Sequence, residues 1–224
     1  GPIQLGAFSN GGGFYVNDLL LSTAAPGTLN PVQLNALISL DANTDADPAS
    51  FVVSGGARVQ VAFSGNPTID TEQGGDNPGG VVNFNTSTLS ATGGADRNLV
   101  IDTSTGGGDA GGNVFLPAFN NAGGNYVNDV TMTLGGATAG ILQLSGNVTL
   151  DNSGTDCASF NVNGGGNVVL ASSVTIKLDA DNNASVVNSG TYGVQFNTSA
   201  VSAIAPGFDL IIDSGCLHRM SRED

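Results

Sequence analysis

The stretch AFSNGGGFYVNDLLLS, Ala7 to Ser22, returns as AFNNAGGNYVNDVTMT, Ala118 to Thr133, at an offset of about 111 residues (118 − 7). A match of that length in a chain of 224 residues is too close for shared composition alone. The offset recurs. Phe84-Asn85-Thr86-Ser87 answers Phe196-Asn197-Thr198-Ser199, and Ile101-Asp102 answers Ile212-Asp213. LISLD, Leu37 to Asp41, faces NVTLD, Asn147 to Asp151, and ASF at Ala49 to Phe51 faces ASF at Ala158 to Phe160. The sequence therefore reads as two tandem copies of a unit of about 111 residues, about 7–117 and 118–215, which points to a modular architecture.

Within and between the copies, short β-prone runs alternate with clusters of Gly, Asn, Asp and Ser. FVVS (Phe51 to Ser54), NLVIDT (Asn98 to Thr103) and VTIKLD (Val174 to Asp179) are examples. Apolar residues at every second position, as Leu99 and Ile101 or Val148 and Leu150, put one face inward and one outward. No segment of ten or more residues carries helical periodicity free of Gly or Pro. The chain reads as all β, with the triple glycines at Gly11, Gly106 and Gly164 suited to corners.

Two all-β arrangements can carry such a unit. One is a tandem of β-sandwich domains of about 100 residues each. The other is a right-handed parallel β-helix, a β-solenoid continuous over 1–215, with turns of about 20 residues and some ten turns in all. Three features favour the solenoid. The runs are short and resemble one another, and the chain has no Trp to centre a sandwich. An Asp also closes an apolar run at Asp41, Asp70, Asp102, Asp151 and Asp213. These aspartates read as strand-end turn formers that bond their own backbone a residue or two on.

Composition sets further bounds. The net charge is −14, with five basic residues, 34 glycines, 11% charged and 40% hydrophobic residues. Such a chain is too apolar for disorder. It would be repelled by phosphate backbones and anionic membranes, so nucleic acid is excluded as a partner. No apolar run reaches the roughly 18 residues that a membrane span needs, and no membrane insertion is expected. The opening Gly1-Pro2 reads as a mature or engineered start. Two cysteines, Cys157 and Cys216, make neither a disulfide framework nor a CxxC pair.

LSGNVTLDNSG, NVNGGGNVVLASSVTI and the run from Gly79 to Pro117 resemble the repeat arrays of large bacterial secreted proteins, the filamentous-haemagglutinin-like and autotransporter-passenger-like β-helical adhesins. The resemblance covers nearly all of Ala7 to Gly215 and marks an architecture. It implies a right-handed parallel β-helix from an extracellular or cell-surface stalk. The secretion domain and membrane barrel of such families have no counterpart in this sequence.

Parallel β-helices also include polysaccharide lyases and hydrolases. Lyase chemistry needs a basic proton acceptor and cations for the uronate. Arg58, Arg97 and Lys177 are the candidates in the body, and Arg58 and Lys177 stand opposite Asn167 and Asp70 in the other copy, outside the common plan. No Ser/His/Asp or Cys/His set forms without His218 of the tail. The expectation is no catalytic residue and no enzyme.

Calcium is the stronger alternative. Asp41, Asp45 and Asp47, and separately Asp179 and Asp181, offer closely spaced oxygen donors that a hard cation prefers. Neither cluster carries an EF-hand pattern, and the two do not occupy equivalent places in the copies. Thr131 and Thr133 form one Thr-x-Thr pair, but their counterparts Leu20 and Ser22 give no ladder for binding ice. The segment 216–224, with the sole His, breaks the Gly/Asn/Thr character and reads as an appended or capping tail. The sequence thus points to a structural or adhesive module that associates with itself through its end coils or binds glycans and other cell-surface components. A carbohydrate-active β-helix is the alternative.

Overall fold

Among the described residues strands pair with strands about one coil away along the chain, and every pairing is parallel. The computed structural model describes residues 3–8, 16–22, 31–40, 47–55, 58–61, 66–73, 78–85, 87–91, 97–106, 108–119, 126–151, 157–180 and 193–214. Three walls close a prism.

Face 1 begins with β1 (Ile3–Leu5), β3 (Pro31–Leu34), β6 (Arg58–Val61) and β9 (Thr88–Ala91). The bridge Leu89↔Phe119 and the bond from Phe119 N–H to Asn147 O (2.9 Å) carry it on. It ends with β14 (Val148–Thr149), β17 (Val174–Lys177) and β20 (Leu210–Asp213).

Face 2 stacks β4 (Ile38–Ser39), β7 (Thr68–Asp70), β10 (Arg97–Asp102), β12 (Val127–Thr133), β15 (Ser159–Asn163) and β18 (Gly193–Gln195). Face 3 has seven strands: β2 (Leu19–Ser22), β5 (Phe51–Ser54), β8 (Val82–Asn83), β11 (Val114–Leu116), β13 (Ile141–Leu144), β16 (Asn167–Leu170) and β19 (Val201–Ala203). No helix occurs among the described residues. The parallel β-solenoid expected from the sequence is the observed architecture, and the tandem sandwich is not.

The coil is longer than the turn of about 20 residues expected from the sequence. On face 3 the stacked partners Leu19, Phe51, Val82, Val114, Leu142, Val168 and Val201 follow one another at about 30 residues, the shortest step being 142 to 168 and the longest 168 to 201. Three walls with three corners take more chain than the shorter turn allowed. Instead of ten turns, face 3 has seven rungs, and at about 4.8 Å each its ends lie about 29 Å apart. The offset of the long repeat is therefore not a whole number of coils. Its matched stretches lie on different walls: Leu19–Ser22 on face 3, but Val130 to Thr133 on face 2.

Alternation along each strand sends one set of side chains inward, as in Phe51 and Val53 of β5, buried between the half-buried Val52 and Ser54. The inward residues form one cluster running from Leu5 to Leu178, dominated by Val, Leu and Ile. Phe51 and Phe84 meet edge to face in it at 5.7 Å. With no Trp in the chain, branched aliphatics suit this narrow interior, because each packs on its equivalents in the coils above and below.

The corner before face 3 is a column of small residues, Ala49, Gly80, Gly112, Gly140 and Gly166, each two places ahead of an inward residue of its strand. A Cβ on Gly112 would lie 2.0 Å from Gly80 O, and one on Gly140 would lie 1.9 Å from Gly112 O. At these glycines backbone passes over backbone, and only hydrogen fits.

Candidate functional site

A set of Asn and Asp side chains stitches one coil to the next. Before face 2, Asn66 Oδ1 accepts from Asn98 N–H (3.1 Å), Asn98 Oδ1 from Asp129 N–H (3.2 Å), and Asp129 Oδ1 from Ser159 N–H (2.9 Å). Before face 3, Asp18 Oδ1 accepts from Ser50 N–H and Asn113 Oδ1 from Ile141 N–H, both at 2.9 Å. Before face 1, Asn147 Oδ1 takes Thr175 N–H at 2.9 Å. An amide that leaves the sheet ladder at a corner still needs an acceptor, and a short Asx side chain one coil earlier supplies it. Corners are closed from within as well: the buried Thr71 hydroxyl donates to Gly80 O (3.2 Å) and accepts from Gly80 N–H (3.1 Å), and Thr103 donates to Gly112 O (2.9 Å).

The nearest approach to a titrating site is the outer column of face 2. There Ser39, Asp70, Asp102, Thr133 and Asn163 stand in register on successive coils. Burial raises the Asp70 carboxyl above its ordinary range. The hydrogen bond from Glu72 N–H opposes that shift, and the neighbouring Asp102 charge adds to it. Asp70 Oδ1 takes that amide at 3.1 Å, and Asp102 Oδ1 accepts from Ser104 N–H at 3.0 Å and from its hydroxyl. Both are strand-end turn formers of the expected kind. Two carboxylates one coil apart are close enough for the acid and nucleophile of a retaining glycosidase, which sit about 5 Å apart. One oxygen of each is committed to its own turn.

The other predicted residues are dispersed. Asp47 accepts from Asn17 Nδ2 at 3.1 Å on the exposed corner ahead of face 3. Asp179 is buried just past β17, where face 1 ends. Asp41, Asp45 and Asp181 lie outside the described residues, as does the tail 216–224. Among the described residues no group of three or more His, Cys, Asp or Glu is placed to hold a metal ion. From the two aspartate clusters, Asp47 lies ahead of β5 on face 3 and Asp179 follows β17 on face 1, at different corners. Of the basic candidates, Lys177 Nζ donates to Ala180 O at 3.2 Å, Arg97 is half-buried at the start of β10, and the Arg58 side chain and His218 lie outside the description.

Two features escaped sequence reasoning. The column of acceptors at the corners was visible only as an excess of Asn, Asp and Ser, because coil length had to be known before its members could be aligned. Cys157 is disulfide-bonded, and the only other cysteine in the sequence is Cys216. Nothing in the sequence around Cys157 hinted at that bond. No helix of the described residues is long and apolar enough to cross a membrane. No protein-family model matches the sequence, and neither a curated protein nor a solved structure matches it.

Proposed function

We propose that this chain is a structural or adhesive module of a larger secreted or cell-surface repeat protein, a length of stalk whose walls are available for contact. The observation that carries this reading is how the polar side chains are used. Asn66, Asn98, Asp129, Asp18, Asn113 and Asn147 serve coil-to-coil bonding, so the polar inventory supports an extended scaffold. The disulfide at Cys157 supports an oxidising, extracellular setting. The net charge of −14 supports contact with neutral glycans or cell-surface protein in preference to anionic polymers.

The test is binding of the labelled chain to a glycan array and to intact cells, run beside a screen for polysaccharide cleavage. Saturable binding without product supports the adhesive form, and retention of shape without binding supports the purely structural form. Release of oligosaccharide, lost on Asp70→Asn, would replace both with the carbohydrate-active reading.

A further inference from the structure

We infer that the C-terminal coil of this chain is built to receive the N-terminal coil of a second copy, head to tail, and that the junction is already drawn inside the molecule. The second half reproduces the pairings of the first, turned by one wall. Leu19↔Phe51 and Phe51↔Val82 on face 3 become Val130↔Phe160 and Phe160↔Val194 on face 2. Ile38↔Ile69↔Ile101 on face 2 becomes Val148↔Ile176↔Ile212 on face 1. Local details follow. Asp18 Oδ1 accepts Ser50 N–H and Asp129 Oδ1 accepts Ser159 N–H, both at 2.9 Å. Asn85 and Asn197 share positive φ values of 50° and 46°, and their side-chain amides donate to Val53 O and Val162 O. The Phe51–Phe84 edge contact reappears as Phe160–Phe196.

This correspondence identifies what fits against the last described coil. Among the described residues β18, β19 and β20 are the last strands of their walls, and they correspond to β8, β9 and β10. Inside the chain, the coil stacked on those three strands is β11, Phe119 and β12, through Val82↔Val114, Leu89↔Phe119 and Ile101↔Met132. That coil in turn corresponds to the N-terminal one: Ile3-Gln4-Leu5-Gly6-Ala7-Phe8 answers Val114-Phe115-Leu116-Pro117-Ala118-Phe119, and β2 answers β12. Carried across molecules, the same register sets Val194 against Ile3, Val201 against Phe8 and Ile212 against Leu21. Val201 and Ile212 point inward in sequence register yet stay 45% and 50% exposed. Ile3, Phe8 and Val194 are only partly buried. Three parallel edges on three walls can be met together only by another three-sided coil, whereas a single extended peptide would satisfy one. The contact is heterologous and does not close on itself, so it extends into a filament in which each molecule is turned relative to the last.

The inference rests on the coil stack as the working surface of the proposed module, and its test is independent of ligand binding. Sedimentation velocity of the full chain is run at high salt, where the net charge of −14 is screened. The expected result is a concentration-dependent series of oligomers. Phe8→Asp and Val201→Asp, each shown by circular dichroism to be folded, should each be monomeric, and their equimolar mixture should give heterodimers and nothing larger. Ile3→Asp and Ile212→Asp form a second pair should either of the first fail to fold. A wild-type chain that stays monomeric overturns the inference, and so does a Phe8→Asp variant that still associates alone or a mixture that yields no heterodimer. Glycan or cell binding by such a monomer would leave the adhesive reading standing.

Discussion

Replacing Gly112 by Ala tests how tightly one coil lies on the next. A Cβ there would stand 2.0 Å from Gly80 O and 2.7 Å from Gly79 O, both backbone atoms that cannot swing aside. An ordinary C···O contact is more than about 3 Å, so the two coils must part by about 1 Å at this corner. The hydrogen bonds from Val82 N–H to Asn113 O (2.9 Å) and from Gly79 N–H to Ala110 O (2.8 Å) join the two coils at the strained place. Losing both at about 1–1.5 kcal/mol each gives a destabilisation of about 2–3 kcal/mol. The backbone conformation itself is not the obstacle, because Gly112 is not among the glycines with positive φ. Gly108 provides the control: an added Cβ meets nothing within 4 Å, so Gly108→Ala should be neutral or slightly stabilising. Denaturant unfolding of both variants, followed by circular dichroism, measures the difference. A Gly112→Ala chain as stable as Gly108→Ala would refute close backbone stacking at this corner.

The other expectations concern the core, one carboxyl and the disulfide. Phe51→Ala removes a fully buried ring and its edge contact with Phe84, and should cost about 3–5 kcal/mol in the same assay. Asp70 has a folded-state pKa raised above the ordinary 3.8, so the fold prefers its neutral form and charging it at higher pH weakens the fold. Asp70→Asn should therefore be more stable than wild type at neutral pH, with the advantage vanishing as pH falls below about 3.8; melting temperatures measured from pH 3 to pH 7 check the crossing. Reduction of the disulfide at Cys157 should lower stability by about 2–4 kcal/mol, read as a shift in the unfolding midpoint with and without reductant.

The strands and their inward residues were legible because period-two alternation needs only neighbouring residues, as at Leu99 and Ile101. Parallel stacking was legible from short, mutually similar runs. Coil length was not, because the strongest internal match, Ala7 to Ser22 with Ala118 to Thr133, steps from one wall to another and hides the shorter period on which the structure is built. The turn-forming roles of Asp70 and Asp102 could be read locally, since each bonds an amide two residues on. The bond from Asp129 to Ser159 could not, because its partners are 30 residues apart and meet only once the coil is closed. Of the aspartates read as possible calcium ligands, Asp47 takes a hydrogen bond from the Asn17 amide and Asp179 is buried past β17, and neither belongs to the column of corner acceptors.

Pulsed electron–electron resonance on nitroxide pairs along the outer side of face 3 tests the stacked coils most directly. Leu20, Val52, Asn83, Phe115, Gln143, Val169 and Ser202 are successive register partners there. Labels at positions 20 and 143, four coils apart, should lie about 19 Å from each other, and labels at 20 and 202, six coils apart, about 29 Å. A separation that grows by about 5 Å for each coil is the predicted result. Distances that fail to rise in step with coil number would contradict the parallel stack.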